Sequence, residues 1–289
     1  MFGECHAHFA MDGVNYKQAM ARHTNGPDEQ HIRACFTAYC KRDITFVRDG
    51  GDKYGVSHLA ARIAPEYGID YRTPIFAIHE AGNYGSIVGK AFETMREYAE
   101  LVDEAKSLGA DFIKIMTTGL MDFREYGRIT HYDLPTCRVR KMVHIAHEEG
   151  FAVMSHTNGK RAVLDAIEAG VDSVEHANYI DDECIAALAE SRTCYVPTST
   201  VARNLIGNSQ FDDAVLTRIW ESSLESMAKA VDAGCLVALG SDAGAVGVPH
   251  GQGALDEYDC FVAAVPDAAR RDAALERGEA FIRETFHRR

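Results

Sequence analysis

The chain has 289 residues, 46% hydrophobic and 25% charged, enough to bury the core of one large globular domain. Its net charge of -13, with no Lys/Arg cluster to override it, disfavours nucleic acid, which needs a basic face. No apolar run of about 18 residues and no charged-then-apolar leader is visible, so neither a membrane span nor secretion is expected, and eight scattered cysteines without a Cys-x-x-Cys pair fit reduced thiols in the cytoplasm.

A first strand is expected over 3–9. His6 and His8 lie two apart, so on a strand they share a face and could clamp one metal ion; an exposed polar face is the plainer alternative. Asn25-Gly26-Pro27 leads into a helix over 28–41 with Asp28 as its cap. A second strand over 44–47 runs into Arg48-Asp49-Gly50-Gly51, a helix over 57–67 stops at Gly68, and a third strand over 74–78 ends at His79-Glu80. One long amphipathic helix is expected over 88–108, closed by Gly109.

The fourth strand, 109–119, is apolar except for Lys114 at its middle. A buried ammonium costs several kcal/mol unless it is paired or chemically changed. Lys114 therefore either reaches the strand end or a carboxylate, or serves as a metal ligand. In the second case a neutral amine takes up carbon dioxide, and the carbamate is an anionic bridge between two metals. A polar loop over 121–135 carries Arg124, Tyr126, Arg128, His131 and Tyr132, and its length suits a substrate contact. His144 and His147, on a helix over 136–149, read as ordinary helix residues.

A strand over 151–156 ends at His156, and one over 172–176 ends at His176, with a helix over 160–169 between them. A helix over 181–191, a strand over 193–198 and a helix over 212–233 precede the eighth strand, 235–242, which ends at Asp242. Helices over 254–265 and 267–285 finish the chain.

Eight strands alternating with helices, with no linker or composition break, predict an α/β fold: a single (β/α)8 TIM barrel over 1–289. The C-terminal strand ends of such a barrel converge on one mouth. His6, His8, Lys114, His156, His176 and Asp242 would meet there, a set of metal-ligand types from five of eight strands.

In these residues the chain resembles the amidohydrolase superfamily of metal-dependent hydrolases: Cys5-His6-Ala7-His8 on the first strand, Lys114 on the fourth, His156 and His176 on the fifth and sixth, Asp242 on the eighth. Within it the chain is most similar to the prolidase-like and Xaa-Arg-dipeptidase-like group, through Thr45-Phe46-Val47-Arg48-Asp49-Gly50-Gly51, Asp111-Phe112-Ile113-Lys114-Ile115, Ser173-Val174-Glu175-His176, Val196-Pro197-Thr198 and Gly240-Ser241-Asp242-Ala243-Gly244 with His250-Gly251. The resemblance implies two divalent ions, zinc the expected choice. His6 and His8 would hold one ion, His156 and His176 the other, and carboxylated Lys114 would bridge them. Asp242 would bind the first ion and act as catalytic base toward the bridging hydroxide. Relatives carry a small β-sandwich from flanking segments; this chain starts two residues before its first strand and ends in a helix, so the barrel alone is expected.

The expected function is hydrolysis of an amide or peptide-like C–N bond in a small dipeptide, acyl amino acid or cyclic amide. A mononuclear deaminase using Glu175 and a non-catalytic metal-binding barrel remain as alternatives. Candidate substrate contacts are His79, Tyr84, Thr117, Thr118, Asn178 and His250, with Arg124 or Arg128 available to pair with a substrate carboxylate. The expected partner is a small-molecule substrate, with self-association into a homo-oligomer.

Overall fold

The computed structural model describes residues 1–288. Strands β1 (Glu4–Ala7), β2 (Phe46–Asp49) and β3 (Asp70–Arg72) pair in parallel in that order. Strands β4 (Ala77–Glu80), β5 (Gly89–Phe92), β6 (Ile113–Met116), β7 (Val153–Thr157), β8 (Ser173–His176) and β9 (Cys194–Val196) form a second parallel run, ordered β5-β4-β6-β7-β8-β9. Between and after them come α1 (Tyr16–Arg22), α2 (Glu29–Cys40), α3 (Val56–Ile63), α4 (Met95–Ser107), α5 (Thr136–Glu148), α6 (Lys160–Ala169), α7 (Asp182–Glu190), α8 (Thr200–Leu205), α9 (Asp213–Asp232), α10 (Gln252–Ala264) and α11 (Ala268–Thr285).

Backbone hydrogen bonds join the two runs into a (β/α)8 barrel. On one side β3 passes into β4 through a bend at Ile75, whose φ is 66° and whose carbonyl accepts from Asp52 N at 2.9 Å. On the other side residues 236–242 lie between β9 and β1. Tyr195 N donates to Leu236 O and Ala238 N to Tyr195 O, while Cys5 N donates to Leu239 O and Asp242 N to His6 O. The eighth strand is therefore present as a connected but irregular ribbon. Gly240 allows it to press on β1, because a Cβ there would lie 2.6 Å from Val196 and 2.9 Å from His6 N.

Three local expectations change. The third strand is not one piece over 74–78: Pro74 supplies no N–H to a ladder, and the left-handed residue after it separates β3 from β4. The helix expected over 88–108 begins only at Met95. Its first part is β5, which pairs with β4 in the register Ala77↔Gly89. That pairing needs a glycine, because a Cβ at Gly89 would sit 2.5 Å from Ala77 O. The boundary carries a local signal, since Thr94 and Glu97 form a capping box. Thr94→Ala should lower stability by about 1 kcal/mol in chemical denaturation, and an unchanged midpoint would mean the box carries no weight. Finally, α1 and α8 were not anticipated. The first turn of α8 is held by a distant side chain, with Ser199 N and Thr200 N donating to the Glu257 carboxylate at 3.0 and 2.7 Å.

The main apolar core lies between strands and helices, with residues such as Ile113, Ile115, Val153 and Val174 packed against Val102, Val139 and Val163. A second cluster fills the barrel itself: Phe46, Phe112, Met154, Cys194 and Val196, closed from below by Ile282 and Phe286. Because strand side chains alternate, Phe112, Lys114 and Met116 share the inward face. Among the described residues no helix is long and apolar enough to cross a membrane, and all eight cysteines are free thiols.

Candidate metal centre

His6 and His8 leave the end of β1, Lys114 stands in the middle of β6, His156 lies near the end of β7, and His176 ends β8. Asp242 follows the irregular eighth ribbon. All six converge above the inner core. The Lys114 amine lies 3.3 Å from His6 Nε2 and 3.3 Å from His8 Nε2. Asp242 Oδ1 lies 3.6 Å from His6 Nε2 and 3.4 Å from His8 Nε2. The His156 and His176 rings are 4.6 Å apart, and His176 is 5.0 Å from His6.

The tautomers suit ligation. His6 Nδ1 faces the Glu175 carboxylate at 2.7 Å, so Nδ1 carries the proton and Nε2 offers its lone pair to the cluster. His156 Nε2 faces the Gly119 carbonyl at 3.0 Å, which can only accept, so Nδ1 is the free base. His176 Nδ1 pairs with Thr198 Oγ1 at 2.8 Å, leaving Nε2. Burial holds His6, His8 and His176 well below the usual imidazole range and brings His156 to about 4, so all four rings are neutral at physiological pH. Burial likewise lowers Lys114 to about 8 and raises Asp242 to about 7. His8 Nδ1 is a buried atom without a hydrogen-bond partner. Neutral imidazoles, a weakly basic amine and a carboxylate in one buried cluster are the donor set a divalent ion of the zinc type requires.

The backbone is strained where these groups are presented. His176 and Asp242 have φ of 68° and 60°, in the left-handed region that costs non-glycine residues about 1–3 kcal/mol. Both lie at strand ends, and the strained turns aim their side chains into the mouth.

The sequence profile described as Amidohydrolase family matches residues 4–270. The chain belongs to the amidohydrolase family. Over 140 residues, 46% of its length, it is 31% identical to a protein named ochratoxinase from Aspergillus niger, and the match spans 29% of that protein. It is 28% identical over 120 residues to an uncharacterised protein of Mycobacterium bovis, covering 39% of this chain and 32% of the other. In fold it is similar to a Xaa-Pro dipeptidase solved with bound methionine in its active site (TM-score 0.77, 22% identity, 98% of this chain and 75% of that one). The A. niger ochratoxinase structure is similar at TM-score 0.76 and 22% identity, over 97% of this chain and 71% of that one.

In this amidohydrolase the six predicted ligands stand together, but the predicted substrate contacts do not. A cavity of about 380 Å³ opens over His8, Lys114, His156, His176 and Asp242, and of the expected contacts only Tyr84 lines it. His79 Nδ1 is taken by Glu80 O at 2.9 Å. Thr117 Oγ1 donates to His156 O at 2.9 Å, and Thr118 Oγ1 accepts from Asn158 N at 3.0 Å, so both brace the wall from behind. Asn178 bonds Asn158, which does line the cavity. His250 lies behind the loop after β1, with Nε2 on Met11 O and Nδ1 near the Tyr39 hydroxyl. Arg124 and Arg128 are also outside the lining, and Arg128 pairs with Glu125 at 3.0 Å.

Two residues of this amidohydrolase had no assigned place in the centre. Glu175, considered above as a deaminase acid, points into the barrel rather than the mouth. It joins His6 to the fully buried Arg48, whose Nη2 donates to Oε1 at 2.9 Å. Arg48 also donates to Cys5 O at 2.7 Å and Ser173 Oγ at 2.9 Å. The available signal was alternation: on β8, Ser173 and Glu175 share one face, and β2 carries an arginine directly after the apolar Phe46-Val47.

Proposed function

We propose that this amidohydrolase hydrolyses an amide or peptide-like C–N bond, with two divalent ions, zinc the expected metal, held by His6, His8, Lys114, His156, His176 and Asp242. The observation that carries the reading is the convergence of four neutral imidazoles, one amine and one carboxylate, all but His6 lining a single cavity. For Lys114 to serve, its neutral amine adds carbon dioxide and releases one proton, leaving a carbamate with two ligand oxygens. A depressed ammonium pKa of about 8 supports that addition, because the reactive neutral form is populated near neutrality.

The ions, when bound, supply Lewis acidity at the substrate carbonyl and lower the pKa of water. The chain supplies the remaining steps. Asp242 takes a proton from the attacking water at a carboxylate oxygen while the water oxygen bonds to the carbonyl carbon. The C–N bond then breaks, and Asp242 returns the proton to the leaving nitrogen. In the metal-free chain burial raises its carboxyl to about 7. Glu175 and Arg48 hold the His6 ring so that Nε2 faces the centre.

Metal content by plasma mass spectrometry, together with turnover of an amide library, tests the reading. Two divalent ions per chain and amide cleavage are expected. Asp242→Asn, which can still offer an oxygen, should lower kcat by roughly 10³-fold with KM changed only a few-fold. Full turnover by that variant would remove Asp242 from the proton path, and no metal after reconstitution would remove the hydrolase reading.

A further inference from the structure

Resting on the hydrolase reading above, we infer that the substrate is a neutral amide bearing apolar groups of aromatic size on both sides of its C–N bond, rather than a dipeptide or acyl amino acid with charged ends. Every cationic, carboxylate or imidazole side chain that lines the cavity belongs to the candidate metal centre. Among the described residues, no further cation remains there for a substrate carboxylate, and no further acid for a substrate ammonium.

Thr130, Asn158 and Thr198 add uncharged polar groups to the lining, and much of the remaining wall comes from two apolar clusters that are separate from one another. One flank is Tyr84, Ile87, Val88 and Met116, contributed by β6 and the segment before β5. The other is Phe123, Val201, Leu205 and Phe211, contributed by the loop after β6, by α8 and by the approach to α9. Phe123 and Phe211 stack edge to face, with ring centroids 5.5 Å apart and planes at 78°. Both flanks and the metal candidates share one space of about 380 Å³, within the size range of sites for drug-sized ligands. An amide at the floor therefore extends into apolar surface in two directions. A charge carried into either flank loses its hydration without a partner.

A matched set of three probes tests this on the full chain. The first is the neutral amide of phenylacetic acid with phenethylamine. The second adds a carboxylate to the amine part, giving phenylacetyl-phenylalanine. The third adds an ammonium to the acyl part, giving the phenethylamide of phenylglycine. Binding is measured by calorimetry on metal-free protein, and kcat/KM on zinc-loaded protein. The neutral amide should bind at least about tenfold tighter than either charged probe, and the order of kcat/KM should follow. Phe211→Arg should move the binding preference at least about tenfold toward the carboxylate probe, with metal content unchanged. Equal or tighter binding of a charged probe, or binding of none, overturns the inference. Neutral preference in the metal-free chain with no turnover of any probe overturns the hydrolase reading alone. Turnover led by a charged probe overturns this inference and leaves that reading intact.

Discussion

Lys114→Met should make the metal-free chain more stable by about 3 kcal/mol at pH 7 and, under the proposed function, lower metal loading. The lysine is fully buried, and the loss of hydration outweighs the attraction of the Asp242, Glu175 and Asp49 carboxylates, so its folded pKa falls from 10.5 to about 8. That gap of about 2.5 units corresponds to ~3 kcal/mol of unfavourable charge burial. The sign follows from proton counting. Below pH 8 both states hold the proton, and the folded state bears the full cost. Between pH 8 and 10.5 the unfolded state binds more protons, so the native protein gains stability as pH rises. The advantage of the methionine variant should accordingly shrink across that interval. Denaturation of chelator-treated protein at several pH values measures this. A variant less stable than the parent at pH 7 would mean that Lys114 is well solvated or paired in the native state. In zinc-loaded protein the same change should lower metal stoichiometry and reduce kcat/KM by at least ~10³-fold, because losing a ligand should exceed the 10–100-fold typical of losing a group behind one. A buried amine that costs stability without a metal is what a ligand position should look like.

Glu175→Ala is the second large effect. It would leave the Arg48 guanidinium buried with its carboxylate partner gone, a loss expected at about 3–5 kcal/mol. It would also free the His6 ring, because the 2.7 Å contact to Nδ1 is lost. Glu175→Gln separates the two roles. It keeps the shape and an acceptor for Arg48 but removes the charge that fixes the His6 tautomer. Metal titration of the glutamine variant should show affinity weakened 10- to 100-fold, with a smaller stability loss than for alanine. Unchanged metal affinity in a folded glutamine variant would sever Glu175 from the centre and leave it a purely structural partner of Arg48.

The parts of this protein legible in its sequence are those set by local rules. Alternation of apolar runs with capped helices carried the barrel order, because strand and helix periods and turn residues act over a few positions. The ligand candidates were legible for a related reason. A lysine inside Phe112-Ile113-Lys114-Ile115-Met116 contradicts its surroundings, and histidines or an aspartate at successive strand ends must face one mouth if the strands close a barrel. The family match over residues 4–270 spans all six candidates.

What only the tertiary structure decided depends on groups far apart in the chain. Glu175 became a support for His6 because Arg48, 127 residues away, meets it inside the barrel. The helix expected from 88 gave way to β5 because β4 offered an edge and Gly89 lets the backbones approach. His79, Thr117, Asn178 and His250 read as contacts because polar residues at strand ends are candidates in one dimension. In three dimensions each directs a polar atom to a neighbouring carbonyl or side chain, which a sequence cannot reveal. The apolar flanks were hidden for the opposite reason. Phe123, Leu205 and Phe211 are ordinary loop and helix residues until long-range packing gathers them around one space. Residue chemistry and spacing determined which atoms could hold metal; the direction of each side chain, set by contacts across the barrel, decided what else can reach them.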